Sequence, residues 1–189
     1  PGLIQPAADH LVEALRSLPA ADAKVLFSAH SLPVDLATTC DYEAQVNEAA
    51  SLVAERAGLT DPQQWEVVWQ SRSGHPGVPW LEPDVGDRVQ QLGEVGVRSV
   101  VISPIGFPVE NFEVAWDLDI EAAERAAQAG MNFTRAECID DDPRFVAMIR
   151  NLVAERIDPD HTGPAALGQS GIRPHDCPAD CCPGPTSPA

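Results

Sequence analysis

Short apolar runs alternate with longer segments of helical periodicity along residues 1–157, and this alternation limits the folds that the chain can adopt. An apolar run followed by Gly or Pro is typical of a strand buried on both faces. Strands separated by helices of this length predict an α/β fold, in which helices flank a parallel sheet. The predicted strands are residues 24–29, 65–70, 98–103 and 132–137, and the predicted helices are residues 6–18, 41–57, 84–95, 110–129 and 143–157.

The character of the chain changes at Asp158. Seven of the 18 prolines lie in residues 158–189, where the periodic apolar pattern ends. Such a composition predicts an irregular tail that becomes ordered only where something holds it. We therefore divide the chain into an α/β domain, residues 1–157, and a tail rich in Pro, Gly and Cys, residues 158–189.

The charge balance and the hydropathy pattern narrow the classes of function. The net charge is −17, from 29 acidic and 12 basic residues, which argues against nucleic acid or an anionic membrane surface as a partner. The longest apolar runs are far shorter than a membrane span, and no signal-peptide pattern is present. We expect a cytoplasmic protein without stable membrane insertion. Because the chain begins at Pro1 rather than Met, we also expect a fragment of a longer protein.

The first predicted strand leads into the sequence Ser-Ala-His-Ser-Leu-Pro, residues 28–33. Pro33 cannot continue a strand ladder, so His30 is predicted at the carboxyl end of a buried strand. Ligands of open α/β sheets bind outside the carboxyl ends of the strands, which makes His30 a candidate catalytic residue. A structural histidine is the alternative at this position.

A loop rich in Gly and Pro follows the second strand and opens at the same edge of the sheet. It contains Trp69, Ser71, Arg72 and Trp80. Aromatic rings suit a flat ligand, and an arginine suits a carboxylate on the rim of that ligand. The alternative is a core tryptophan at position 69 followed by a solvated loop.

Three carboxylates follow the third strand at four-residue spacing: Glu113, Asp117 and Glu121. On a helix they lie along one face, each about 6 Å further along the axis. A solvated acidic face near a helix N-terminus would tolerate their mutual repulsion. Crowded carboxylates also have raised proton affinity and attract divalent cations, so the row could conduct protons or deliver a metal ion.

Three motifs together resemble the ferrochelatases, the enzymes that insert Fe²⁺ into a porphyrin. They are Ser-Ala-His-Ser-Leu-Pro around His30, Trp-Gln-Ser followed by Pro-Trp-Leu, and Gly-Phe followed by Glu113. The resemblance covers residues 1–157 and matches the C-terminal half of that family. It implies a chelatase-like, Rossmann-like half of a two-domain enzyme, with the N-terminal half forming the other wall of the porphyrin cleft. This chain alone is then expected to be inactive.

The resemblance also implies roles for the site residues. His30 would accept pyrrole protons or bind iron transiently, and Glu113 would act from the opposite side of the porphyrin, with Asp117 and Glu121 as a relay. Trp69, Ser71, Arg72 and Trp80 would bind the porphyrin. Many members carry Asp-His where this chain has Glu110 and Asn111, so the second imidazole is lost.

Cys177, Cys181 and Cys182 cluster in the tail, whereas Cys40 and Cys138 are isolated. Three clustered thiols suggest a metal or Fe–S site, although a [2Fe–2S] cluster usually needs four thiolates. Actinobacterial ferrochelatases are similar here, and in them three tail ligands join a fourth from the N-terminal half, which this chain lacks. Zinc, or no metal, remains open at this spacing.

The likeness to actinobacterial members favours coproporphyrin III over protoporphyrin IX as the substrate. Coproporphyrin is water-soluble, whereas protoporphyrin partitions into membranes, for which this chain offers no anchor. Two other functions are consistent with the sequence. One is a chelatase that inserts cobalt or nickel into another tetrapyrrole, and the other is a non-catalytic module that binds haem or an Fe–S cluster.

Overall fold

A computed structural model describes residues 1–19, 23–75, 77–158, 166–172, 176 and 179. Four parallel strands form one sheet in this part of the chain, and helices cover both faces, as the alternating pattern predicts. The strands are β1 (Lys24–His30), β2 (Trp65–Gln70), β3 (Ser99–Ser103) and β4 (Asn132–Arg135). The helices are α1 (Ile4–Ser17), α2 (Val34–Ala37), α3 (Tyr42–Arg56), α4 (Val85–Glu94), a π-helix (Val114–Ala122), α5 (Ala123–Gln128) and α6 (Pro143–Ile157).

The strand order is β2-β1-β3-β4, so β1 lies inside the sheet between β2 and β3. Ala29 pairs with Trp69 on β2, and Phe27 pairs with Ser103 on β3. The chain first adds β2 on one side of β1 and then β3 on the other, which makes the end of β1 the point where the winding direction changes. Ligand crevices of open α/β sheets lie at this kind of point.

Successive residues of β1 pack against opposite layers of helices. Val25 and Phe27 belong to a core that they share with α1 and α3, while Leu26 belongs to a second core formed with α4, the π-helix and α5. All three side chains are fully buried, and each stabilises the fold by roughly 1.5–3 kcal/mol. A strand buried on both faces is therefore the rigid base on which His30 stands.

The helix after β3 differs from the single α-helix predicted over residues 110–129. Its turns widen to π-helical geometry from Val114 to Ala122 before α5 begins. The buried residues Val114, Leu118 and Ala122 recur every four residues, which exceeds the 3.6 residues of an α-helical turn. Side chains four residues apart share one face of an α-helix as well, so this spacing keeps all three side chains in the same core. The acidic residues at the same spacing likewise stay on one face.

Part of the tail lies against α3. The backbone N–H of Ser170 donates to Oε1 of Glu48 at 3.0 Å. A Cβ atom added to Gly168 would overlap the same carboxylate oxygen, so a larger residue there would displace Glu48. Across the described residues, no helix combines the length and the apolar character needed to cross a membrane.

Candidate active site

The His30 side chain ends β1 and is held in one orientation. Its Nδ1 atom lies 2.5 Å from the carbonyl oxygen of Ser31, and a carbonyl oxygen can only accept a hydrogen bond. The neutral ring therefore carries its proton on Nδ1, which leaves a lone pair on Nε2. The side chain is 37% exposed, so a ligand can approach this lone pair.

Two hydrogen bonds fix the backbone around His30, and an aromatic ring lies beside its side chain. The Tyr42 hydroxyl donates to the carbonyl oxygen of His30 at 3.0 Å, and the N–H of Ser31 donates to the carbonyl of Gln70 at 2.8 Å. The Phe107 ring lies beside the imidazole, with 6.4 Å between the ring centroids. The imidazole can therefore move little relative to the sheet.

Gly106 brings the turn after β3 directly onto the end of β1. Its N–H donates to the carbonyl oxygen of Ser28 at 3.0 Å. A Cβ atom at this position would lie 2.5 Å from the Cβ of Ala29 and 2.7 Å from its Cα, closer than real Cβ contacts. The close approach, which places Phe107 next to His30, thus requires glycine.

Glu113 lies close to the His30 ring. Its Oε1 atom lies 4.0 Å from Nε2 of His30, and its side chain is 51% exposed. The expectation that the two residues act from opposite sides of a porphyrin stays a prediction. Carbon contacts alone take about 3.5–4.0 Å on each face of a ring, so the exposed Glu113 side chain would have to move for a macrocycle to lie between the two atoms.

Asn111, where many ferrochelatases carry a histidine, has a structural role here. Its Oδ1 atom accepts the N–H of Val114 at 3.0 Å. Asparagine is among the preferred residues for capping a helix N-terminus in this way. The imidazole is replaced by a side chain that fixes the start of the helix carrying Glu113.

Asp117, the second carboxylate of the row, is bound to the end of β2. The Ser71 hydroxyl donates to its Oδ2 atom at 2.6 Å, and the Gln70 amide donates to the same oxygen at 3.3 Å. Ser71 has a backbone φ of 61°, in the left-handed region that non-glycine residues seldom adopt. The strained turn aims the hydroxyl at the carboxylate.

Asp117 and Glu121 line a polar cavity of about 100 Å³ at the end of β2. Burial raises the pKa of Asp84, another carboxyl group on this cavity. Two cationic side chains share the space, and the remaining walls come from β2 and the start of α4. The lining residues are Gln70, Ser71, Arg72, Asp84, Val85, Gly86, Asp117, Glu121 and Arg125.

The two predicted tryptophans occupy different environments. Trp69 is 4% exposed and packs against Tyr42, with 5.8 Å between ring centroids, so it lies in the core behind the site. Trp80 is half-buried and forms a β-bridge with Pro33, three residues after His30. The loop that carries Trp80 therefore borders the histidine, as predicted.

Unpartnered polar atoms mark this edge of the sheet. Ser28 Oγ, Gln70 Oε1 and Trp80 Nε1 are buried without a hydrogen-bond partner in the part of the chain that the structure describes. Buried polar atoms of this kind are rare and concentrate at functional sites. All three belong to segments that surround His30.

Two residues of this region were missed by the sequence analysis. Tyr42, the only tyrosine, is not among the candidate site residues, although its hydroxyl donates to the carbonyl oxygen of His30. Arg135 ends β4 and pairs with Glu110 and Asp119 on either side of Glu113. The sequence offers one clue to Arg135. It lies near the end of a predicted strand, and therefore close to the edge of the sheet where the acidic row begins.

The predicted metal ligands are only partly described. His30 and Glu113 form a pair, and no group of three His, Cys, Asp or Glu side chains suited to a metal ion occurs among the described residues. Cys177, Cys181 and Cys182 lie outside those residues. Cys138 is buried, and burial, reinforced by Glu110, raises the pKa of its thiol to about 12.

Comparison with known proteins defines the class to which this fold and site belong. The profile of the ferrochelatase family matches residues 1–157. The chain belongs to the ferrochelatase family.

Curated relatives match this chain over about half of their own length. It is 44% identical over 185 residues to a ferrochelatase from Rhodopirellula baltica, which covers 96% of this chain and 52% of the relative. It is also 44% identical over 194 residues to a coproporphyrin III ferrochelatase from Frankia alni, covering 96% and 49%. A solved structure described as a putative cobalamin biosynthesis CbiX protein from Marinobacter aquaeolei has a TM-score of 0.44 at 18% identity and covers 73% of this chain and 99% of its own. The chain spans about half the length of these two curated relatives.

Proposed function

We propose that this chain is the C-terminal half of a ferrochelatase, which inserts Fe²⁺ into a porphyrin and releases two pyrrole protons in haem biosynthesis. The observation that best supports this function is the His30–Glu113 pair at the switch point of the sheet, with Nε2 and Oε1 4.0 Å apart. Because metal–ligand bonds are about 2.0–2.2 Å long, two donor atoms at this separation can bind one divalent cation that lies between them. The iron is a substrate here, so a pair of ligands that releases it suits the reaction better than a closed cage.

In this proposal the reacting atom of His30 is the ring nitrogen that carries a lone pair. Because Nδ1 donates to the carbonyl oxygen of Ser31, Nε2 is the atom that either accepts a pyrrole proton or binds the incoming iron. The Glu113 carboxylate neutralises the charge that either event places on the ring. Asp117 and Glu121 would carry protons or iron between the pair and the cavity behind it.

We further propose coproporphyrin III as the porphyrin. The Frankia alni relative is named for that substrate, and so is a relative from Mycolicibacterium smegmatis that is 44% identical over 163 residues. Four carboxylates on coproporphyrin need cationic partners, and Arg72 is exposed beside the site. Ser71 and Trp80 would border the ring, with Trp69 supporting them from the core.

The test measures iron insertion by the full-length protein that contains this chain. Anaerobic Fe²⁺ is mixed with coproporphyrin III or protoporphyrin IX, and the metalloporphyrin is followed by absorbance. We expect coprohaem to form faster than protohaem, and we expect His30→Ala to abolish both reactions. His10→Ala is the matched control, because its ring contacts the carbonyl of Glu137 at 3.1 Å, away from the site.

Three outcomes would redirect the proposal. Preference for protoporphyrin IX would leave the enzyme class intact and overturn the substrate. Preference for cobalt or nickel over iron would indicate a different chelatase. No metallation with any of these ions would favour a binding module. Residues 1–189 assayed alone should be inactive, since the proposal assigns the other cleft wall to the N-terminal half.

We also propose that the three tail cysteines bind a [2Fe–2S] cluster, which would supply no step of the chelation itself. Of the two described thiols, Cys138 is unsuited as a fourth ligand because burial raises its pKa to about 12. Visible absorbance with iron and sulfide content tests the cluster in the full-length protein, and a colourless protein containing zinc would contradict it. Cys181→Ser should lose the colour, whereas Cys40→Ser should keep it, because the resemblance assigns the fourth ligand to the N-terminal half.

A further inference from the structure

Arg135, the last residue of β4, connects two carboxylates that flank Glu113 in sequence. Its Nε and Nη2 atoms donate to the two carboxylate oxygens of Asp119 at 2.6 and 3.0 Å. Its Nη1 atom donates to Oε1 of Glu110 at 2.7 Å and to the carbonyl oxygen of Ala136 at 3.2 Å. The guanidinium thus ties together the loop before the helix and the π-helix itself.

This ion-pair group is more enclosed than an ordinary surface salt bridge. The Arg135 side chain is 15% exposed, whereas those of its two partners are about 40% exposed. Burial alone would lower the pKa of Arg135, but Asp119 and Glu110 more than offset this and raise it. A planar guanidinium with bidentate pairing fixes the geometry of both partners, which a lysine ammonium cannot do.

Glu113 depends on its backbone for its position. Within the described residues its carboxylate lies 4.0 Å from Nε2 of His30 and makes no hydrogen bond. The backbone on either side is held by long-range contacts. Besides the Arg135 contacts, the N–H of Glu110 donates to Oδ1 of Asp140 at 2.8 Å, and the N–H of Asp140 donates to the carbonyl oxygen of Pro108 at 2.8 Å.

We infer that Arg135 is a positioning residue for Glu113, and this inference rests on the proposed ferrochelatase function. Its guanidinium fixes the helix segment at a point before and a point after Glu113, and so sets the distance between the Glu113 carboxylate and Nε2 of His30. A reacting group misplaced by about 1 Å can lower a rate by about 10²-fold. Arg135 itself contacts neither reacting side chain.

The test replaces Arg135 with lysine in the full-length protein and measures kcat and KM for coproporphyrin III metallation. Arg135→Lys keeps the charge but loses the bidentate pairing. We expect kcat to fall about 10- to 100-fold while KM for the porphyrin changes less than about twofold, because the porphyrin-binding residues are untouched. The kcat is expressed per folded molecule, so that a purely structural role would lower the melting temperature and the folded fraction but leave this kcat unchanged.

Arg144→Lys is the matched control. Arg144 pairs with Asp142 and with Asp9 in the same manner, but at the start of α6, away from His30. Its kcat should equal that of the wild type. Equal losses of kcat in the two lysine variants would overturn the inference, and so would an unchanged kcat in Arg135→Lys.

A second variant covers the case in which Arg135→Lys does not fold. Asp119→Asn removes the bidentate partner and leaves the arginine paired with Glu110, so it should show the same split between kcat and KM. Where both variants fold, the double variant should lose no more than about twofold beyond Arg135→Lys, since both act through one ion pair. An inactive wild type would overturn the proposed function, whereas an active wild type with multiplicative losses would overturn this inference alone.

Discussion

His30 and Glu113 lie 4.0 Å apart, yet the molecule fixes them in different ways. His30 ends a strand whose residues 25–29 are fully inaccessible to solvent. Its ring is hydrogen-bonded to the carbonyl oxygen of the next residue, Ser31. Glu113 lies on a half-exposed helix segment whose anchors come from Arg135 and Asp140. The histidine is therefore positioned by local sequence and core packing, and the glutamate by distant polar contacts.

The difference predicts how each side of the site responds to change. A buried strand moves only when the core is disturbed, so the position of His30 should be coupled to global stability. An exposed segment held by ion pairs can shift while the core stays intact, so the position of Glu113 should be coupled to individual charges. Substitutions on the two sides of the site test this contrast.

Removing the charge of Glu113 should produce the largest effect on activity. Glu113→Gln keeps the shape of the side chain but cannot accept a proton or bind a cation strongly. We expect metallation by the full-length protein to fall about 10²- to 10⁴-fold, the range for a lost acid–base group. The variant should unfold at the wild-type urea concentration, because the carboxylate has no hydrogen bond among the described residues.

Glu124→Gln is the control for Glu113→Gln, because Glu124 is an exposed glutamate on α5. Metallation within about fivefold of the wild type in Glu113→Gln would mean that His30 acts without this carboxylate. In that case the contrast between the two residues would lose its functional basis.

The contrast also explains what could be predicted from sequence. An apolar run and a proline within ten residues are enough to predict the strand at 24–29. They also predict that His30 lies at its carboxyl end. The acidic row followed from four-residue spacing, but its π-helical winding did not, because the same spacing was read against a 3.6-residue turn. Arg135 acts on residues 25 and 16 positions away, and no local pattern marks such a pairing.

Strand order and the geometry of the pair lie beyond local sequence for the same reason. The order β2-β1-β3-β4 depends on which strands meet after folding, and alternation alone allows several orders. The short distance between His30 and Glu113 could not be predicted either, because it depends on how the turn at Gly106 lies on β1. That turn is fixed by a contact between residues 28 and 106.

Adding one methyl group at Gly106 should disturb the core around β1, the strand that carries His30. We call His30 and β1 the strand side of the site. In Gly106→Ala the new Cβ would meet the backbone and side chain of Ala29, neither of which can rotate away. We expect the free energy of unfolding, measured by urea titration, to fall by about 3 kcal/mol, the upper end for overpacking. Metallation should fall as well, since Ala29 precedes His30.

Gly96→Ala separates steric crowding from backbone strain. Gly96 has a φ of 91°, and no atom lies within 4 Å of the position that a Cβ would take, so only the strained conformation opposes alanine. We expect a loss of about 1 kcal/mol and unchanged activity. Similar losses in the two variants would show that the contact with Ala29 is not what constrains Gly106.

Removing the Tyr42 hydroxyl should weaken the strand side by a smaller amount. Tyr42→Phe leaves the carbonyl of His30 without its donor, at an expected loss of about 1 kcal/mol in unfolding free energy and a severalfold loss of metallation. Ser17→Ala removes another hydroxyl-to-carbonyl bond, to Ala14 at 2.7 Å, far from the site. The control should lose similar stability and no activity, and equal activity losses would contradict the assignment.

Alkaline pH should lower the free energy of unfolding through the buried thiol of Cys138. This thiol lies beside Glu110, on the glutamate side of the site, which comprises Glu113 and the polar contacts that hold its helix segment. Burial raises its pKa from 9.0 to about 12, so between these pH values the folded chain holds a proton that the unfolded chain has released. The contribution to stability is complete below pH 9 and declines towards pH 12, and we expect about 1 kcal/mol to be lost at pH 10. Urea titrations at pH 8 and 10 should show this loss in the wild type but not in Cys138→Ala or Cys138→Ser. Equal losses in all three proteins would mean that other groups govern the alkaline response, and that the glutamate side is no more sensitive to charge than the strand side.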